Sequence, residues 1–337
     1  MKKWMYSIGM LLIGILLFIL AIKYIGLDAI VNQFKTIRPR DLFSYLLISI
    51  SIVTVLVIKW KLILHAQGYD IPFHNLFMYR QMGYAVGYII PSFYIGGETM
   101  RVFFLRKHKV PLTQAVSSVI IDRAVELPLN FLMACVMFFL VVHTLTLPKI
   151  VLLFFAAALV LILIIGTLFY YKIFQKEYFL TPLFDLLGLN KYPGLKQLRQ
   201  KIREVETSLI RFFNKKIKFF MLSIAISAIL WGLMILEFHT ALSLVGFKAT
   251  LAQIYLVVTM TGFAMLFPIP ASIGILELSQ IGIAILVGIP VQVAVALSIL
   301  VRTRDFMWIF LGILFYLYHG TSYVKALLTD LSNGKSN

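Results

Sequence analysis

Arg123 and Arg302 each lie deep inside an apolar run, and each carries an acid three residues on, Glu126 and Asp305. Each is also preceded, 25 residues earlier, by another acid, Glu98 and Glu277. A guanidinium presents a planar fork of donors that suits a phosphate or a carboxylate. The acids could balance it, bind a cationic group, or carry a coupling proton once desolvated. Two readings stand open: ion pairs that lock helices together, or arginines that ligate an anionic headgroup, most simply a phosphate.

The spacing is not isolated. Shifting the chain by 179 residues lays Pro91 on Pro270, Glu98 on Glu277, Pro111 on Pro290, Ala115 on Ala294, Arg123 on Arg302 and Glu126 on Asp305 without a gap. Both copies read P-x6-E-x24-R-x2-[ED], over about 76–143 and 252–319. Arg101 has no counterpart, since Gln280 stands there; it is read as a cytoplasmic-side phosphate contact or a snorkelling flank. Asp122 and Arg304 are likewise unmatched and are weaker candidates.

The elements that must position these residues follow from composition. The chain has 337 residues, of which 61% are hydrophobic and 13% charged, and its mean hydropathy is +0.94. Full apolar spans read as about 4–22, 42–58, 113–143, 150–171, 219–238 and 292–319, each near the length that crosses a ~30 Å hydrocarbon core. The first is taken as a retained helix, because no small-residue cleavage site follows it. Two apolar stretches, 76–108 and 252–289, are broken at Pro91 with Gly96 and Gly97, and at Pro268, Pro270 and Gly274. Backbone groups freed at such breaks must be buried in protein or line a cavity, which predicts re-entrant hairpins.

The expected fold is therefore an all-α polytopic membrane protein with about six full transmembrane helices plus two re-entrant helical hairpins. Both termini fall in the cytoplasm under the positive-inside rule. The stretch 172–218 holds eleven lysines and arginines against four acids and should be cytoplasmic. Within it Leu195, Leu198, Ile202, Val205, Leu209 and Phe212 recur at steps of three and four, marking an amphipathic helix on the membrane surface. Three full spans separate the hairpins, so they enter from opposite sides and the repeat is inverted. Inverted repeats of broken helices are the architecture of secondary transporters. Arg123 lies ten residues into its helix, ~15 Å deep, so an unpaired charge there would be costly.

Other chemistry finds little footing. The net charge of +17 is read as topogenic charge facing anionic headgroups, with no nucleic acid as partner. The six histidines show no metal-ligand spacing, no nucleotide-binding loop or nucleophile motif appears, and no cofactor or metal is expected. Cys135 reads as a small core residue. Trp4, Trp60, Trp231 and Trp308 read as interfacial or packing aromatics.

The stretch P-x4-GGE-x2-R of 91–101, the A-x7-R-x2-E of 115–126 and the P-x-P-x3-G-x2-E of 268–277 resemble the membrane domain shared by lysylphosphatidylglycerol synthases and stand-alone flippase-like relatives. The resemblance runs from the first helix to about residue 320. The later copy departs from the family pattern at Ala271, Ser272 and Ile275. The resemblance implies movement of a phospholipid such as lysylphosphatidylglycerol between leaflets of the plasma membrane, or handling of a polyprenyl-phosphate carrier. It also argues against aminoacyl transfer by this chain alone, because the soluble transferase domain is absent before Asn337. Membrane phospholipids are the expected partners, with a separately encoded lipid synthase as a further one. The alternatives are a membrane-embedded lipid-modifying transferase that uses Glu98 or Glu277 as a base, and a non-transporting subunit of a synthase.

Overall fold

The computed structural model describes residues 38–89, 95–144, 149–265, 272 and 274–320. The expected first span at 4–22 lies outside them, as do Pro91, Pro268 and Pro270. Among the described residues no strand occurs, and eleven α-helices follow in order: α1 Pro39–Ala66, α2 Phe73–Ile89, α3 Ile95–Leu105, α4 Leu112–Thr144, α5 Lys149–Phe174, α6 Leu180–Leu186, α7 Lys196–Lys215, α8 Ile217–Leu244, α9 Leu251–Ala264, α10 Ile275–Leu286 and α11 Val291–Phe315.

Helices α1, α4, α5 and α8 are long and apolar enough to cross a membrane. Each runs past the ends expected from hydropathy, α1 the furthest at its end, since it carries Lys59 inside and continues to Ala66. Helix α11 is long enough too, but every 18-residue stretch of it includes Arg302, Arg304 and Asp305. The pairs α2/α3 and α9/α10 consist of helices of 17, 11, 14 and 12 residues, each shorter than the ~30 Å of hydrocarbon. Each pair precedes a charged helix, α4 or α11.

Local sequence explains several boundaries. Pro39 occupies the first turn of α1, where its missing N–H costs nothing, and Gly68 at φ 95° ends the segment. Thr250 and Gln253 form a reciprocal capping box at the start of α9, and Gln253 also donates to the Val287 carbonyl at 2.8 Å, tying α9 to the end of α10. Pro128 stands inside α4 and leaves the carbonyl of Ala124 without its helical donor. The Tyr170 hydroxyl from α5 fills that vacancy at 2.5 Å.

Gly96 and Gly97, expected to break the chain, lie instead in the first turn of α3. Their service is proximity. A methyl on Gly83 of α2 would sit 2.7 Å from the Gly97 carbonyl oxygen, and one on Gly97 would overlap the Gly83 carbonyl. On its other side α2 meets α11 at Gly312, where a methyl would collide with the Gln81 carbonyl. Helix α2 is thus clasped by glycine contacts on two faces. Gly97→Ala should lower stability by ~1–3 kcal/mol by overpacking, despite the helix-propensity gain of alanine. Gly282→Ala in α10, where the added methyl meets open space, should not. Thermal unfolding in detergent, followed by tryptophan fluorescence, separates the two outcomes.

The amphipathic helix of the basic loop forms as α7, and the later part of its apolar stripe packs on the bundle, while Leu198 stays exposed. Val205, Leu209, Phe212 and Phe213 are buried against Ile63, Ile121, Val125, Ile173 and Phe220 of the bundle. Its Glu206 caps the short α6, accepting from the backbone N–H groups of Phe179, Leu180 and Thr181 at 2.7, 2.5 and 3.0 Å. Helix α5 does the opposite, exposing Ile150, Leu153, Phe154, Leu161 and Ile165 as a lipid-facing periphery would.

Candidate functional site

A cavity of about 420 Å³ opens inside the bundle. Its walls are largely apolar, with Ile52, Val53 and Leu56 of α1 facing Leu230 and Met234 of α8. Two groups of charged side chains border this space in part, through Arg80, Glu98, Arg101, Arg123 and Glu126 of one and Glu237, Arg304 and Asp305 of the other.

The first group is centred on Asp122, which is fully buried. The Lys59 ammonium lies 3.0 Å from one of its oxygens, while Arg101 and Arg80 approach the other at 2.8 and 3.5 Å. Lys59 also donates to Glu126. Arg101 is bound to Glu98 at 2.6 Å and stacks 4.1 Å from the centre of the Trp60 ring. Arg123 donates through Nε to Glu98 at 2.9 Å, through Nη2 to the same oxygen, and through Nη1 to Glu126 at 3.4 Å. Its side chain remains 49% exposed.

The second group uses the matching pair differently. Arg302 donates through Nε to Glu277 at 2.7 Å, as Arg123 does to Glu98. Its other nitrogens reach the Tyr88 hydroxyl and, at 3.0 Å, the Ser272 carbonyl, and the residue is buried. Glu277 closes the turn by accepting from the Gly274 N–H at 2.8 Å, and Gly274 itself sits at φ 85°. Asp305 does not pair with Arg302. It accepts from the Tyr84 and Tyr88 hydroxyls at 3.0 and 3.2 Å and from Arg304 at 2.8 Å. Arg304 in turn holds Glu237 at 2.5 Å.

The structure therefore separates the two arginines that the repeat makes equivalent. Arg123, Glu98, Glu126 and Arg101 line the cavity, and so does Asp305. Arg302 and Glu277 are not among its lining residues; Arg304 takes that place. Arg101 is neither a flank nor solvent-facing, but a buried side chain clamped between two acids and a tryptophan. Trp60 serves as its platform rather than as an interfacial aromatic.

Sequence reasoning missed Lys59, Arg80 and Glu237, and ranked Asp122 and Arg304 low. The signal was present for the first three: each is a charge within an otherwise apolar stretch, costly unless paired or facing water. Tyr84 and Tyr88 carried no such signal. They lie on α2 one turn apart with Arg80, so this one helix touches both charged groups.

The family described as the lysylphosphatidylglycerol synthase TM region matches residues 7–313. A UPF0104 membrane protein of Pyrococcus horikoshii is 25% identical over 92% of this chain and 94% of its own length. Another from Methanothermobacter thermautotrophicus is 22% identical over 96% of this chain and 98% of its own. A third, from Methanocaldococcus jannaschii, is 36% identical over 118 residues, about a third of each chain. No solved structure matches. With the family's sequence pattern running through nearly every described helix, the chain belongs to the family of the lysylphosphatidylglycerol synthase transmembrane region.

Proposed function

We propose that this protein translocates a phospholipid, anionic or aminoacylated, or a polyprenyl-phosphate lipid, between the leaflets of the plasma membrane. The observation that carries the reading is a charged cavity inside an apolar bundle, bordered by an arginine whose side chain is half exposed. Charges at such depth are tolerated where they line a substrate path. In this reading α2/α3 and α9/α10 act as two re-entrant hairpins of an inverted repeat, within about six full spans and with both termini cytoplasmic. Alternate opening of the hairpins exposes the headgroup to either side while the acyl tails stay in the bilayer. The matched bonds Arg123–Glu98 and Arg302–Glu277 support the repeat.

The same bonds weigh against a transferase that uses either glutamate as a base, since both carboxylates are already held by guanidinium groups. The test is reconstitution in liposomes carrying fluorescent phosphatidylglycerol or its lysyl ester, with leaflet exchange followed by chemical quenching from outside. Wild-type protein should make lipid beyond the outer-leaflet pool accessible. Exchange that is equal with and without protein, for every lipid, would end the translocation reading.

A further inference from the structure

Charge is unevenly divided between the two groups. Among the described residues, the cations Lys59, Arg80, Arg101 and Arg123 on the side built by α1 to α4 meet Glu98, Asp122 and Glu126, four against three, while the other group holds the reverse, Glu237, Glu277 and Asp305 against Arg302 and Arg304. Arg80 is the cation left over. Its acid is Asp122, 3.5 Å away, which Lys59 and Arg101 already hold at 3.0 and 2.8 Å. Its Nη1 makes no hydrogen bond, and neither does the Arg101 Nε or the Nε2 amide of Gln81, the next residue on α2. Gln81 is 2% exposed, and all three residues border the cavity. A surplus cation in a low-dielectric wall, whose own Nη1 is one of three buried donors without acceptors on residues bordering the same cavity, is a costly arrangement unless an anion joins it.

We propose that Arg80 and Gln81, flanked by Arg101, form an anion seat that takes a phosphate group, distinct from the Arg123–Glu98 pair. A tetrahedral oxyanion supplies the missing negative charge and several acceptor oxygens at once, which one guanidinium and one carboxamide can share. The identity of the phosphate as that of a lipid headgroup rests on the translocation reading; the seat itself rests on the charge surplus and the orphaned donors.

The experiment is thermal unfolding of the full chain in detergent, titrated with dihexanoylphosphatidylglycerol, with inorganic phosphate, and with dihexanoylglycerol, which lacks phosphate. The phosphorylated lipid should raise the midpoint saturably. Arg80→Gln should fold with an unliganded midpoint equal to or above wild type, because the surplus charge is gone, and should need at least about tenfold more lipid for the same shift. Gln81→Leu keeps every charge and should weaken the shift several-fold, so it carries the test if Arg80→Gln does not fold. An equal Arg80-dependent shift with inorganic phosphate would sustain the seat and assign it to free phosphate. An equal shift with dihexanoylglycerol, or an undiminished shift in both variants, would overturn it. Lipid exchange that is absent from liposomes while this binding persists would defeat translocation and leave the seat standing.

Discussion

Asp122→Asn should yield little or no folded protein, the largest effect expected of any single substitution in this chain. One buried carboxylate is shared by three cations, and the neutral amide withdraws the charge from all of them. Lys59 keeps Glu126 and Arg101 keeps Glu98, but Arg80 keeps no acid. Removing one partner of a buried ion pair typically costs ~3–5 kcal/mol, a large part of the ~5–15 kcal/mol by which a domain is stable. The same argument predicts its own rescue. Combining Asp122→Asn with Arg80→Gln removes the stranded cation and should recover folded protein, measured as monodisperse yield after detergent extraction and as the unfolding midpoint. A folded Asp122→Asn protein with an unchanged midpoint would show that the charge network does not hold the bundle together.

The second large effect is a split between the two arginines that the repeat equates. Arg302→Ala strands Glu277 in a buried site and removes the donors used by Tyr88 and the Ser272 carbonyl, so it should destabilise by ~3–5 kcal/mol. Arg123→Ala leaves Glu98 bound by Arg101 and Glu126 bound by Lys59, and the side chain removed is half exposed to the cavity. Its effect on stability should stay within ~1 kcal/mol. Its effect on lipid exchange should be ~10–100-fold, the worth of one charge-assisted contact to the lipid headgroup. Unfolding midpoints and leaflet-exchange rates for the two variants decide it. Equal loss of stability, or equal loss of exchange in two folded variants, would mean that both arginines serve one role.

This asymmetry has a simple origin. A repeat preserves the backbone spacing that brings an arginine Nε onto a glutamate 25 residues earlier, and both copies keep that bond. Outside the repeat the neighbours differ. The first copy meets Lys59 from α1 and its own Asp122, whereas the second meets Tyr88 from α2 and places Val301 where Asp122 would stand. The second copy instead adds Arg304, against Val125 in the first, and Arg304 finds Glu237 on α8.

Membrane character, helical class, the broken stretches and the equal spacing of Glu98 before Arg123 and of Glu277 before Arg302 were legible in the sequence, which left open whether each arginine meets that acid or the one three residues on. Each depends on residue type and on spacing along one chain, which hydropathy and a 179-residue shift display directly. What only the tertiary structure decided is which charges share a space. Lys59 and Asp122 are 63 positions apart and Arg304 and Glu237 are 67, with no periodicity linking them, yet packing places each pair within 3.0 Å. The faces of α2 and α7 were decided in the same way. Glycines at Gly83, Gly97 and Gly312 let α2 sit close enough to touch both charged groups, and the bundle offers α7 an apolar surface on which Val205, Leu209, Phe212 and Phe213 are buried. Burial is a property of neighbours that the chain acquires only on folding, so a lone charge in an apolar stretch announces the need for a partner without naming it.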